Sequence, residues 1–115
     1  MAETIVISEP ISKEALQILA DLRFGDLVKG VIDLETKTVA LGGELHADQE
    51  AILLTQGSHQ ENLWGFNIYV AESFPDNIEF DSMINIRPSQ NNRSRFVEDS
   101  VIREKILQVL GPLLP

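Results

Sequence analysis

Cysteine is absent from the 115 residues, which excludes a disulfide framework, an iron–sulfur cluster, a thiolate zinc site and a cysteine nucleophile. Basic side chains are scarce, 9 against 18 acidic, for a formal net charge of −9. A surface of that sign repels nucleic-acid phosphate and anionic lipid, so a non-specific nucleic-acid or membrane binder is disfavoured. Long apolar runs are missing as well. The longest stretch without a polar side chain is Val109 to Pro115, far short of the roughly 20 residues that span a bilayer. No basic, apolar leader pattern precedes Lys13, the first basic side chain, and a soluble cytoplasmic protein is expected. Neither common Gly-rich phosphate loop is present, and Ser58 lacks a nucleophile-elbow context.

What is there is ordinary globular material. Hydrophobic residues make up 43% and charged residues 23%, and one domain over residues 1–115 is expected to bury a core without staples. The charge is uneven. Residues 1–86 hold 4 basic and 15 acidic side chains, whereas residues 87–115 hold 5 basic and 3 acidic.

Thr4 to Ile7 is β-branched and reads as a strand. Ser12 reads as a helix N-cap, and Ile11, Ala15, Ile18, Leu19 and Leu22 follow the spacing of one helical face. Leu27–Leu34 and Thr38–Leu41, joined by Glu35-Thr36-Lys37, read as a hairpin. A helix is expected from Ala47 to Thr55 and another from Ser100 to Leu110. Leu63–Val70 and Ile78–Arg87 both alternate, which predicts two strands pairing antiparallel with Trp64 opposite Ile84, Ile68 opposite Phe80 and Val70 opposite Ile78. The order β-α-β-β-α-β-β-α describes an α+β domain, a largely antiparallel sheet with about three helices on one face.

Three segments could carry chemistry. In the first, Gly42-Gly43-Glu44-Leu45-His46, a glycine pair at a strand-to-helix turn admits close approach of a ligand, and His46 and Glu50 stand four apart. Glu44, His46 and Glu50 could hold a metal in principle, but the plainer reading is a turn needing positive φ and carboxylates at a helix start, so no metal is expected. The second, residues 87–95, gathers Arg87, Arg93 and Arg95 with two serines and three amides, suited to a small anion through bidentate arginine. The plain alternative is pairing with the chain's own carboxylates, Glu44, Glu50 or Asp81 among them. The third is the polar hairpin face of Asn67, Tyr69, Glu79, Asp81 and Asn85, which ordinary solvent exposure explains. Asp33 to Lys37 imitates a nuclease core but falls on a hairpin turn.

Residues 42–48 (GGELHAD), 63–69 (LWGFNIY) and 79–90 (EFDSMINIRPSQ) together resemble a family of small prokaryotic proteins of unknown function, frequent in cyanobacteria. The resemblance implies a free-standing bacterial cytosolic domain and transfers no activity, cofactor or catalytic residue.

The leading functional expectation is a small binding module that uses the Arg-rich loop and the Gly-Glu-Leu-His turn to hold a protein partner or small anion. A metal-assisted hydrolase or nuclease-like enzyme and a structural oligomer without a ligand are the alternatives. Leu113 and Leu114, apolar beyond Gly111-Pro112, are expected to pack against a second copy in a homodimer.

Overall fold

The alternation of residues 63–69 builds the middle of the fold. β4 (Leu63–Tyr69) pairs on one side with β2 (Leu27–Asp33) and on the other with β5 (Ile78–Glu79). β2 continues to β3 (Thr38–Leu41) and then to β1 (Ile5–Ile7), giving a five-stranded antiparallel sheet of order β1-β3-β2-β4-β5. The computed structural model describes residues 4–115. With three helices, α1 (Lys13–Asp21), α2 (His46–Thr55) and α3 (Ser100–Leu110), the architecture is α+β.

Because side chains alternate across each strand, the sheet has two buried faces. Trp64, Phe66 and Ile68 share the larger core with Val28, Ile32, Val39 and Leu41. That core is closed by Leu16 and Leu19 of α1 and by Ile106 and Leu110 of α3. On the opposite face Leu53 of α2 packs against Val31, Ala40 and Leu63. The helices therefore cover both faces rather than one, because Val31, Ala40 and Leu63 place an apolar patch on the second face as well.

The expected strand 78–87 is corrected. Pairing stops after Glu79, and the register is Ile68 with Ile78, two residues from the one expected. A slip of two keeps each side chain on its face, so the alternation alone could not detect it. Beyond Asp81 the chain enters a 3₁₀ turn at Met83–Asn85. Ile84 packs toward Leu53 and Leu63, on the face opposite Trp64. The terminal leucines are corrected too. Leu113 and Leu114, 7% and 9% exposed, belong to this chain's own core, and Ile11 N–H donates to the Leu113 carbonyl at 2.9 Å.

Local chemistry explains the junctions. Ser12 Oγ accepts from Ala15 N–H at 3.1 Å and caps α1. Asp33 is fully buried, yet its carboxylate accepts from Glu35 N–H (2.8 Å), Thr36 N–H (3.1 Å) and the Ser58 hydroxyl (2.6 Å), tying the β2–β3 turn to the loop after α2. Burial pushes that carboxyl up, but the hydrogen bonds from Ser58, Thr36 and Glu35 together hold it below the usual value. Gly43 has φ +95°. A Cβ there would stand 2.7 Å from Thr4 Oγ1, and both Thr4 Oγ1 and Gln49 Nε2 donate to the Gly42 carbonyl beside it. The glycine pair thus seats α2 on the sheet.

Candidate functional site

The segment after β5 takes over where the strand fails. Asn85 accepts from Gly65 N–H at 2.8 Å and donates to the Gly65 carbonyl at 3.0 Å, so one side-chain amide replaces a rung of the ladder. Gly65 makes this approach possible, since a Cβ there would lie 2.5 Å from Ser82 Cβ. Asn92 closes the loop on itself. Its Nδ2 donates to the carbonyls of Asn85 (2.8 Å), Ser94 (3.0 Å) and Phe96 (2.8 Å), and its Oδ1 accepts from Glu98 N–H (2.9 Å). Glu98 in turn accepts from Arg93 N–H, Ser94 N–H and the Ser94 hydroxyl. The Ser94 hydroxyl is the largest influence holding the Glu98 carboxyl below its usual value. Residues 82–98 form a polar knot whose donors and acceptors are largely spent on each other.

The three arginines of this segment diverge. Arg87 is 8% exposed, and its guanidinium stacks 4.3 Å from the Trp64 ring. It donates to the carbonyls of Gln60 and Leu63 and to Gln90 Oε1 (3.0 Å), so only Nε is left buried without a partner. Burial pulls its pKa below the usual arginine range, partly offset by the charge of Glu50. Arg95 instead forms a bidentate pair with Asp81, at 2.8 and 3.1 Å, on the exposed edge. Arg93 is exposed, with its charge near Glu98.

The first candidate segment also divides. His46 is buried at the start of α2, and its Nε2 lies 2.9 Å from the Phe66 carbonyl, to which it donates. Burial is the largest influence and pulls its pKa below 6.5, with Lys29 acting in the same direction, while the Phe66 carbonyl, Asn67 and Asp81 oppose. Glu50 accepts from Gln60 Nε2 at 3.4 Å, and Glu44 is exposed. Two small groupings result, His46 with Asp81 and Arg95 toward one end of β4, and Glu50 with Gln60 and Arg87 toward the other. Glu44 and Arg93 join neither. Among the described residues no three His, Asp or Glu side chains gather as a metal set, so the Glu44, His46 and Glu50 set is not assembled.

On the hairpin face, Asn67 Nδ2 donates to Glu79 (2.9 Å) and to the Asp81 carbonyl (3.2 Å), and the Tyr69 hydroxyl donates to Glu79 (3.2 Å). Burial, then the Glu79 charge, raises the Tyr69 pKa.

A concavity opens on the side of the sheet where Arg87 meets Trp64. A groove of about 710 Å³ runs between α3 and the β2–β3 turn. Leu34, Trp64, Ile102, Val109 and Leu113 supply its apolar wall. Its rim carries Lys37 and Glu35 from the turn, Glu61 and Asn62 before β4, Lys105 and Gln108 from α3, and Gln90 from the knot. Arg87 holds the Trp64 ring, so the Arg-rich loop meets the groove as a prop. The sequence signal for the groove was thin. Lys37 and Lys105 are two of only four lysines, and Trp64 is the single tryptophan.

A family model described as "Protein of unknown function (DUF5674)" matches residues 5–113. No curated protein and no solved structure matches the chain. Among the described residues no helix is long and apolar enough to cross a membrane.

Proposed function

We propose, for a chain that belongs to this DUF5674 family of proteins of unknown function, that it is a small binding module whose ligand seat is the groove between α3 and the β2–β3 turn. One observation carries the reading. The groove, at about 710 Å³, joins an apolar wall around Trp64 to a rim on which the Lys37 and Lys105 ammonium groups make no hydrogen bond or ion pair within the described chain. Seats for small organic ligands have this size and this mixture of apolar wall and few polar groups. The ligand chemistry is amphipathic, with a flat apolar body and an anionic or polar end reaching the lysines. The Arg-rich loop serves the seat indirectly, through Arg87 against Trp64 and Gln90 on the rim.

The amphipathic anion 8-anilino-1-naphthalenesulfonate is a suitable probe, read by its own fluorescence with the folded chain. Binding should saturate, and Lys37→Glu and Lys105→Glu should each weaken it by about fivefold or more. Arg93→Ala should leave it unchanged. Binding that depends on Arg93 and ignores both lysines overturns the reading.

A further inference from the structure

The rim of the groove between α3 and the β2–β3 turn carries both signs of charge, and none of it is neutralised from within. Glu35, Lys37, Glu61 and Lys105 all line it. Neither lysine ammonium and neither glutamate carboxylate makes an ion pair within the described chain. Two acids and two bases leave the rim electrically even, in a chain whose net charge is −9. A rim of one sign would select a simple anion or a simple cation. Uncompensated charges of both signs beside an apolar wall suit a molecule that carries both.

The two signs stand on different walls. Leu34 N–H donates to the Asn62 carbonyl at 3.0 Å, and Asn62 Nδ2 donates to Glu35 at 3.5 Å. The β2–β3 turn is thereby held against the start of β4, so Glu35 and Glu61 both belong to the sheet side. Gln90 pins that side from the knot, its Nε2 donating to the Glu61 carbonyl at 3.1 Å. With Lys37 counted, the sheet side keeps one negative charge in excess. Lys105 supplies the positive charge of the other wall. It shares a face of α3 with Ile102 and Val109, three residues before it and four after, and all three line the groove. Packed layers of secondary structure stand on the order of 10 Å apart. Charges on opposed walls are therefore better bridged by the two ends of a short chain than by one carbon bearing both groups.

We infer that the ligand of this groove is a dipolar ion, a short apolar peptide with free termini, whose ammonium meets Glu61 and Glu35 and whose carboxylate meets Lys105. The inference rests on the groove being the ligand seat and adds the second charge and the direction in which the ligand lies.

Four forms of one dipeptide test it, read by amide NMR of the full chain. Leucyl-phenylalanine carries both charges on an apolar, partly aromatic body. Its N-acetyl form keeps only the carboxylate, its C-terminal amide only the ammonium, and the doubly blocked form neither. The free dipeptide should give saturable shifts at residues 35–37, 61–62 and 102–109 and bind about threefold more tightly than either singly blocked form. Glu61→Gln should remove the preference for a free N-terminus and keep that for a free C-terminus. Lys105→Gln should do the reverse. Both positions are exposed, so neither change disturbs the core. The inference is overturned if the four forms bind alike, if the N-acetyl form binds most tightly, or if neither variant changes their order. It is equally overturned if no form gives a saturable shift up to about 10 mM. Binding of 8-anilino-1-naphthalenesulfonate separates this failure from that of the reading beneath it. Saturable, lysine-dependent fluorescence beside four indifferent peptides removes the dipolar ligand alone, and loss of both removes the groove as a seat.

Discussion

Trp64 stands between two polar regions that use their side chains in opposite ways. In the knot at residues 82–98, Asn85 and Asn92 spend their amides on backbone groups that a longer β5 would have satisfied. On the groove rim, the Lys37 and Lys105 ammonium groups are spent on nothing within the described chain. The knot is much the richer of the two in polar residues, three arginines and three amides within residues 87–95, and it is the less available. A dense polar segment marks a site only when its hydrogen-bonding capacity is left over. Here the segment is a scaffold, and the sparser rim is the place to seek a ligand.

The comparison breaks most visibly at Asn92. Its side chain serves four backbone groups, and truncation leaves several of them buried without partners. Asn92→Ala should cost about 3 kcal/mol or more in urea unfolding. A loss under about 1 kcal/mol would mean the knot is not the cement described.

His46 gives a second, pH-dependent handle on the α2 side. Its pKa lies below 6.5 in the folded chain, so the unfolded chain binds more protons in the window just below that value. The stability it contributes is present above 6.5 and is lost as the pH falls through that window toward the folded pKa. Thermal melts from pH 7 to about 5 should fall more steeply for wild type than for His46→Gln, which keeps a donor for the Phe66 carbonyl. Parallel profiles would remove His46 as the cause.

The smallest effect is expected at Arg93, which lies in the same dense segment but is exposed. Arg93→Ala should change stability by less than about 0.5 kcal/mol. A large loss there would show that the outer arginines belong to the cement as well.

Much of the fold was legible because periodicity reports burial. The helices at 13–21 and 100–110, the 27–41 hairpin and the strand at 63–69 all follow from it. Residues 80–87 misled for a physical reason. Phe80, Ser82, Ile84 and Ile86 alternate as in a strand, but Ser82 fits against Gly65 and Asn85 pairs with its backbone. That rests on a partner 17 to 20 residues away, which no local pattern contains. The pairing of Asp81 with Arg95 was among the expected carboxylate partners, whereas Arg87 chose a ring and carbonyls over Glu50. The groove stayed hidden because it is assembled from residues 8, 34–37, 61–64, 90 and 102–113, three distant stretches and two single residues that only the sheet and α3 bring together.

The most direct test of the account maps 8-anilino-1-naphthalenesulfonate onto the wild-type chain by amide NMR. The predicted result is saturable shifts at Lys37, Asn62, Ile102 and Lys105, with Asn85, Asn92 and Arg95 unmoved. Shifts concentrated on Asn92, Arg93 and Arg95 with a silent α3 would contradict it, and would return the site to the Arg-rich loop.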